Sequence, residues 1–345
     1  MIDYAWWPHT TKPTVASYRL RCAQIIDEFQ RRGFNAGLYS TGRVPKVLVL
    51  SKRYDPESIK EAKALRANHG TSIVLDLCDN HFFASDDDPR WQVRADHLRS
   101  AVAAADVVVA STQALASAIR QACFAIAEPI VIGDAAEAPF IPTFWQRWAS
   151  PQTEMRLLNL KQKLKARPER RRLVWFGSHG SSYAEGGMSD LQGIYPMLEE
   201  LNARTPLQLT IISNNIKKYR KTVSGWQIKT NYLMWNAATI SRALSLHEVC
   251  VIPVGINPFT SCKSNNRIAT ALLHNLAVAA DSIPAYEEFS SAVVLSDWES
   301  GLLGLLQDGA ASGHRIGAGQ EIVHRKWTLP VITDQWENAL RPLLS

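Results

Sequence analysis

The chain has 345 residues, 46% of them hydrophobic and 20% charged, which is the balance of an ordinary globular protein and enough length for two cores. Its net charge of +6 suits an acidic partner such as a nucleotide, a nucleic acid or an anionic membrane surface. Five scattered cysteines (Cys22, Cys78, Cys123, Cys250, Cys262) with no Cys-x-x-Cys pair argue against a disulfide framework, and no run approaches the ~18 apolar residues that cross a bilayer.

The first half alternates strand-like and helix-like segments. Strands are expected at Asp3–Trp7, Phe34–Tyr39, Lys46–Leu50, Ser72–Leu77, Val107–Ala110 and Pro129–Ile132. Helices are expected at Val15–Arg32, Glu57–Ala67, Trp91–Ala104 and Ala114–Ala125. Such alternation predicts an α/β, doubly wound domain over residues 1–150. Three stretches of it carry candidate chemistry. In TVASYRLR, Ser17 can cap the first helix, while Arg19 and Arg21 could reach phosphate oxygens or simply be solvated. Lys52 and Arg53 follow a strand as a second basic pair. The string LDLCDNHF ends another strand with Asp76, Asp79, Asn80 and His81, where Asp79 or His81 could serve as a general base or meet an acceptor hydroxyl; a structural turn is the alternative. Cys78 between the carboxylates gives no zinc spacing, so no metal is expected.

A Pro- and Trp-rich passage, Pro139–Pro151, leads into the charged run KQKLKARPERRR, and residues 151–172 read as a solvated linker. With no zinc-finger spacing and no aromatic RNP pattern, this run gives no reason to expect nucleic acid. The alternation then restarts over residues 173–330. Strands are expected at Leu173–Phe176, Leu207–Ile212, Val249–Val254 and Ala277–Ala280, and helices at Asp190–Asn202, Ala237–Ser245, from Ser264, and from Ser282-Ile283-Pro284. A terminal helix is expected over Asp334–Leu344, within residues 331–345. No Gly-rich dinucleotide fingerprint and no loop ending in Gly-Lys-Ser/Thr follows any strand, which weighs against a bound dinucleotide cofactor.

Two loops of the second domain read as ligand loops. FGSHGSS places Gly177, Ser178, His179 and Gly180 directly after a strand, where glycine admits close backbone approach and the side chains supply polar contacts. TSCKSNNR places Ser261, Lys263, Ser264, Asn265, Asn266 and Arg267 where a helix opens, so that two cations join the positive end of a helix dipole in an anion site. A plain helix cap at Ser264 with two solvated cations is the alternative.

KSNNR, a helix, a short apolar strand and SIPAY, together with the WFGSH opening, resemble the donor-nucleotide region of GT-B-fold glycosyltransferases. The resemblance implies two Rossmann-like domains facing a cleft, an N-terminal acceptor domain and a C-terminal nucleotide-sugar domain, with the terminal helix packing back on the first domain. It implies sugar transfer from a nucleotide-sugar, metal-independent and often retaining, in which Lys263 and Arg267 stabilise the departing diphosphate. The acceptor would be a saccharide, a lipid-linked group or a protein, and the setting cell-surface polysaccharide or glycolipid assembly; the cysteine pattern and the lack of a signal-peptide or membrane-spanning run lead separately to an expected cytoplasmic location, at most peripheral to a membrane. Many members carry a Glu four residues after the Asn matching Asn266 to bind ribose hydroxyls; here Thr270 stands there. That departure keeps a silent nucleotide-binding subunit open, beside an epimerase or a phosphopolyol transferase on the same scaffold.

Overall fold

The computed structural model describes residues 2–124, 127–148 and 150–344, so the span ends expected at 1, 125 and 345 lie outside it. The chain divides into two compact units: unit 1 is Met1–Ala136, Ser261–Asn265 and His324–Ser345, and unit 2 is Glu137–Thr260 and Asn266–Val323.

Unit 1 is built on six parallel strands, β1 (Ile2–Pro8), β2 (Ala36–Leu38), β3 (Pro45–Ser51), β4 (Ser72–Leu77), β5 (Val107–Ala110) and β6 (Ile130–Val131), in the order β2-β1-β3-β4-β5-β6. The central strands are apolar on both faces because both are covered. Leu48, Leu50, Ile73 and Leu75 face one cluster with Leu98 and Ile119, while Val47, Val49 and Val74 face the other with Trp6 and Phe29. A helix predicted as continuous over Val15–Arg32 is instead α1 (Ala16–Tyr18), a π-helical turn over Arg19–Ala23, and α2 (Gln24–Arg31). Three further helices start at side-chain caps: Asp55 before α3 (Pro56–His69), Asp88 before α4 (Pro89–Ala104) and Thr112 before α5 (Gln113–Ala122).

Unit 2 opens with α6 (Phe144–Trp148) and α7 (Pro151–Lys165). The stretch expected as linker from its charge is thus helical as far as Lys165, burying Leu157, Leu160 and Leu164 while its cations face water, and the last of the run begins a strand. Six parallel strands follow: β7 (Arg171–Phe176), β8 (Leu207–Ser213), β9 (Lys229–Met234), β10 (Val249–Ile252), β11 (Ala277–Ala280) and β12 (Val294–Leu295). They connect through α8 (Leu191–Arg204), α9 (Ile216–Thr222), α10 (Ile240–Leu244), α11 (Asn266–Leu273) and α12 (Ser300–Gln307). The order β12-β11-β10-β7-β8-β9 reverses direction between β7 and β10, the doubly wound pattern whose ligands sit beyond the carboxyl ends of those two strands.

Helix α13 (Gly309–Lys326) leads to α14 (Leu329–Leu340), which packs in unit 1. Trp336 meets Trp6 edge-on, Arg32 pairs with Asp334 at 2.5 Å, and the Leu343 carbonyl accepts from Ser72 Oγ.

Candidate functional site

In unit 2, the loop after β7 is folded tightly on itself. Gly180 and Gly187 adopt φ of 113° and 83°, and a Cβ at Gly187 would stand 2.7 Å from the Gly180 nitrogen and 2.8 Å from the Ser178 oxygen. Only glycine fits both the dihedral angle and the space. Within the loop, Ser178 Oγ accepts from the Gly180 amide at 3.3 Å, and His179 Nδ1 lies 2.7 Å from Asn214 Oδ1. Asp190, at the start of α8, fastens this loop to the one after β10 by accepting from the backbone N–H groups of Gly187 and Gly255. Burial pushes its carboxyl up to about 6, against the Arg267 guanidinium and those two amides. Arg267, in the first turn of α11, meets the glycine loop at its start, its Cδ 3.7 Å from where a Cβ of Gly177 would lie. Buried Tyr286 is the other neighbour: burial raises its hydroxyl while Arg267 acts in the opposite direction. A guanidinium, a helix N-terminus and a glycine loop therefore share the switch point, which is the equipment of an anion site. In the same helix, Asn266 Nδ2 and Thr270 Oγ1 are buried without a hydrogen-bond partner among the described residues.

The carboxyl edge of the unit 1 sheet carries a second charged cluster. Asp79, just after β4, accepts from the ammonium groups of both Lys52 and Lys263. Burial opposes its charge, but Lys263 and Lys52 outweigh burial and hold the carboxyl far below its usual range. His81 Nε2 lies 3.9 Å from the same carboxylate, and its Nδ1 is 2.5 Å from the Tyr54 hydroxyl. Burial and then Lys52 lower the imidazole to about 3, so it is neutral around pH 7. Lys52 itself occupies the left-handed region, φ 55°, a backbone state that non-glycine residues adopt at some cost and often near functional sites.

Behind this cluster lies a buried ion triad. Arg21, 1% exposed, donates to Asp76 from Nε at 2.9 Å and Nη2 at 2.6 Å, and from Nη1 to Asp134 at 3.0 Å and the Ile132 carbonyl at 2.9 Å. The far oxygen of Asp134 accepts from Ser264 Oγ at 2.6 Å, and the Cys262 carbonyl accepts from Thr112 Oγ1 at 3.0 Å. Segment Ser261–Asn265 is thereby fastened to unit 1 at three points, and Asn265 is buried at its end.

Known structures share this architecture. The Anabaena Alr3699/HepE structure in complex with UDP and glucose matches with a TM-score of 0.66 and 12% identity over 99% of this chain and 100% of that one. Staphylococcus aureus TarM, in complex with Fondaparinux, alpha-GlcNAc-glycerol and UDP, matches with a TM-score of 0.59 and 11% identity over 92% and 58%. A UDP-forming alpha,alpha-trehalose-phosphate synthase from Burkholderia vietnamiensis gives 0.59 and 13% over 87% and 74%. The fold is that of GT-B glycosyltransferases. At these identities the likeness is one of fold; no family model and no curated protein matches the sequence.

Within this GT-B fold the residues expected to act together fall into two sets. Unit 2 holds Gly177, Ser178, His179, Gly180, Asn266, Arg267 and Thr270; unit 1 holds Asp79, His81, Ser261, Lys263, Ser264, Asn265, Ser17, Arg19 and Arg21. The KSNNR string is thus divided between the units. Two expectations need correcting. Arg21 does not offer its charge to a phosphate, because Asp76 and Asp134 already hold it in the interior. Ser17 does not cap its helix: Val15 stands at the cap, and the Ser17 hydroxyl is buried without a partner among the described residues. Arg19 folds back onto the Pro13 carbonyl at 3.0 Å. Asp190, anticipated only as a helix start, joins the two loops beside Arg267, a place the sequence reading did not give it; its one visible signal is an acid shortly after a Gly-Gly pair.

Proposed function

We propose that the protein is a GT-B glycosyltransferase that moves a sugar from a nucleoside diphosphate sugar, bound by unit 2, to a saccharide, lipid-linked or protein acceptor bound by unit 1. The observation that supports this most is Arg267, set with the first turn of α11 against the glycine loop at the switch point of unit 2. There a guanidinium and aligned amides favour the charge that develops on a departing diphosphate. Neither unit 1 candidate is a strong base: Asp79 is committed to two ammonium groups, and His81 titrates near 3. That suits a retaining reaction, in which no strong base need activate the acceptor. The cations provide the counter-charge, so transfer proceeds without a metal, and the reading extends to assembly of cell-surface polysaccharide or glycolipid.

One observation favours a second reading, a silent nucleotide-binding protein: Thr270 supplies a hydroxyl where a carboxylate is expected for ribose, and the residue is only 4% exposed. A panel of nucleoside diphosphate sugars, followed by thermal shift and by slow donor hydrolysis, separates the readings. Hydrolysis supports transfer, conversion of the sugar without release indicates an epimerase, and binding without turnover indicates the silent protein.

A further inference from the structure

Strands β7 and β8 are neighbours, so the loops that follow them lie side by side at the carboxyl edge of the unit 2 sheet. His179 of the first loop is tied to Asn214 of the second. Asn215 then caps α9, its side chain accepting from the Lys218 amide at 2.9 Å. From this fixed backbone Lys218 reaches back over the glycine loop, and its ammonium lies 3.0 Å from the point a Cβ of Gly180 would occupy. Glycine at 180 thus makes room for the ammonium as well as for the turn.

The other cations of that helix, Lys217, Arg220 and Lys221, are exposed, whereas Lys218 is half-buried. It forms no ion pair among the described residues, and the loop it covers, Gly177–Gly187, contains no Lys or Arg of its own. The one acid of that loop, Glu185, is exposed and forms no ion pair with Lys218, and a partly dehydrated ammonium left unpaired gains most when an anion arrives. Arg267 meets the loop at Gly177 and Lys218 meets it three residues later, which provides two cations along one loop for two linked phosphoryl groups.

We infer that Lys218 is a second cation of the donor site in unit 2 and pairs with a phosphoryl oxygen of the nucleotide-sugar diphosphate; this rests on the nucleotide-sugar reading above. Inorganic pyrophosphate isolates the anion site from the rest of the donor. Calorimetric titration at low ionic strength should give pyrophosphate binding by the full-length wild type and about tenfold or more weaker binding by Lys218→Met, the loss of one charge-assisted hydrogen bond. Lys217→Met, which removes the same charge from the same helix, should bind as the wild type does, Lys218→Arg should recover part of the loss, and all variants should melt with the wild type. No pyrophosphate binding by the wild type, or equal affinities of the two Met variants, overturns the inference. Turnover of UDP-glucose is read separately. Pyrophosphate binding that depends on Lys218, with no nucleotide-sugar accepted, keeps the anion site and removes the transfer reading.

Discussion

Arg19 and Arg21 look alike in the sequence, two cations near the start of one helix, yet they end in opposite surroundings. The π-turn over Arg19–Ala23 shifts the helical register and turns Arg21 inward onto Asp76 and Asp134. Periodicity at 3.6 residues has no means of announcing an added residue in a turn. Removing one member of such a buried set leaves charge unpaired, so Arg21→Met should destabilise the protein by about 3–5 kcal/mol in denaturant unfolding; a change within error would mean that the triad is dispensable. Asp190 behaves in the opposite sense. Its folded carboxyl titrates near 6 against an ordinary 3.8, so between those values the folded chain holds more protons than the unfolded one. Stability therefore falls as pH rises through that window, and the full cost, on the order of 1 to 3 kcal/mol, is present above it. Protonation also removes the acid beside Arg267. Affinity for a nucleoside diphosphate sugar, whose diphosphate holds its charge here, should rise as pH falls below about 6, and Asp190→Asn should flatten that profile. A profile unchanged by the substitution would show that Asp190 does not govern the site.

At the scale of elements, the strands with continuous apolar runs were legible because a parallel sheet covered on both faces demands them: VLVL in β3, IVLDL in β4 and VVVA in β5. Strand β9, KTNYLM, was not, because it lies at the sheet edge and mixes polar residues with apolar ones. Strand β12 is two residues long, too short for any period, and α12 and α13 are rich in glycine, which blurs a helical signal. Helix α7 was hidden by its charge, although Leu157, Leu160 and Leu164 recur at helical spacing. The glycine loop was legible as a place but not as a shape. Its self-contact makes Gly187→Ala a test of shape: with φ at 83° and backbone atoms 2.7 Å from the new Cβ, the loop must open. Nucleotide binding should fall at least tenfold while far-UV circular dichroism is retained; wild-type affinity would show that the loop's closed form is not the binding form.

For the whole molecule, the alternating pattern carried the fold class, and the resemblance in KSNNR and WFGSH carried the architecture that the solved structures share. Strand order was beyond the sequence, since nothing in β7 or β10 alone states that they are neighbours with opposite progressions on either side. Nor could spacing reveal that Lys263 and Ser264 are held by Asp79 and Asp134, far away in the chain. The acids Asp86, Asp87 and Asp88 invite a metal reading, but Asp88 caps α4 and pairs with Arg90 at 2.5 Å. Turnover should therefore survive excess EDTA, and loss restored by Mg²⁺ or Mn²⁺ would remove the metal-free mechanism. The central claim, that the switch point of unit 2 receives the donor diphosphate, is tested most directly by a crystal structure with a nucleoside diphosphate sugar bound. Phosphoryl oxygens should lie about 3 Å from the Arg267 guanidinium and the first amides of α11. A nucleotide seated elsewhere, with Arg267 still turned to Asp190 and Tyr286, would contradict the account.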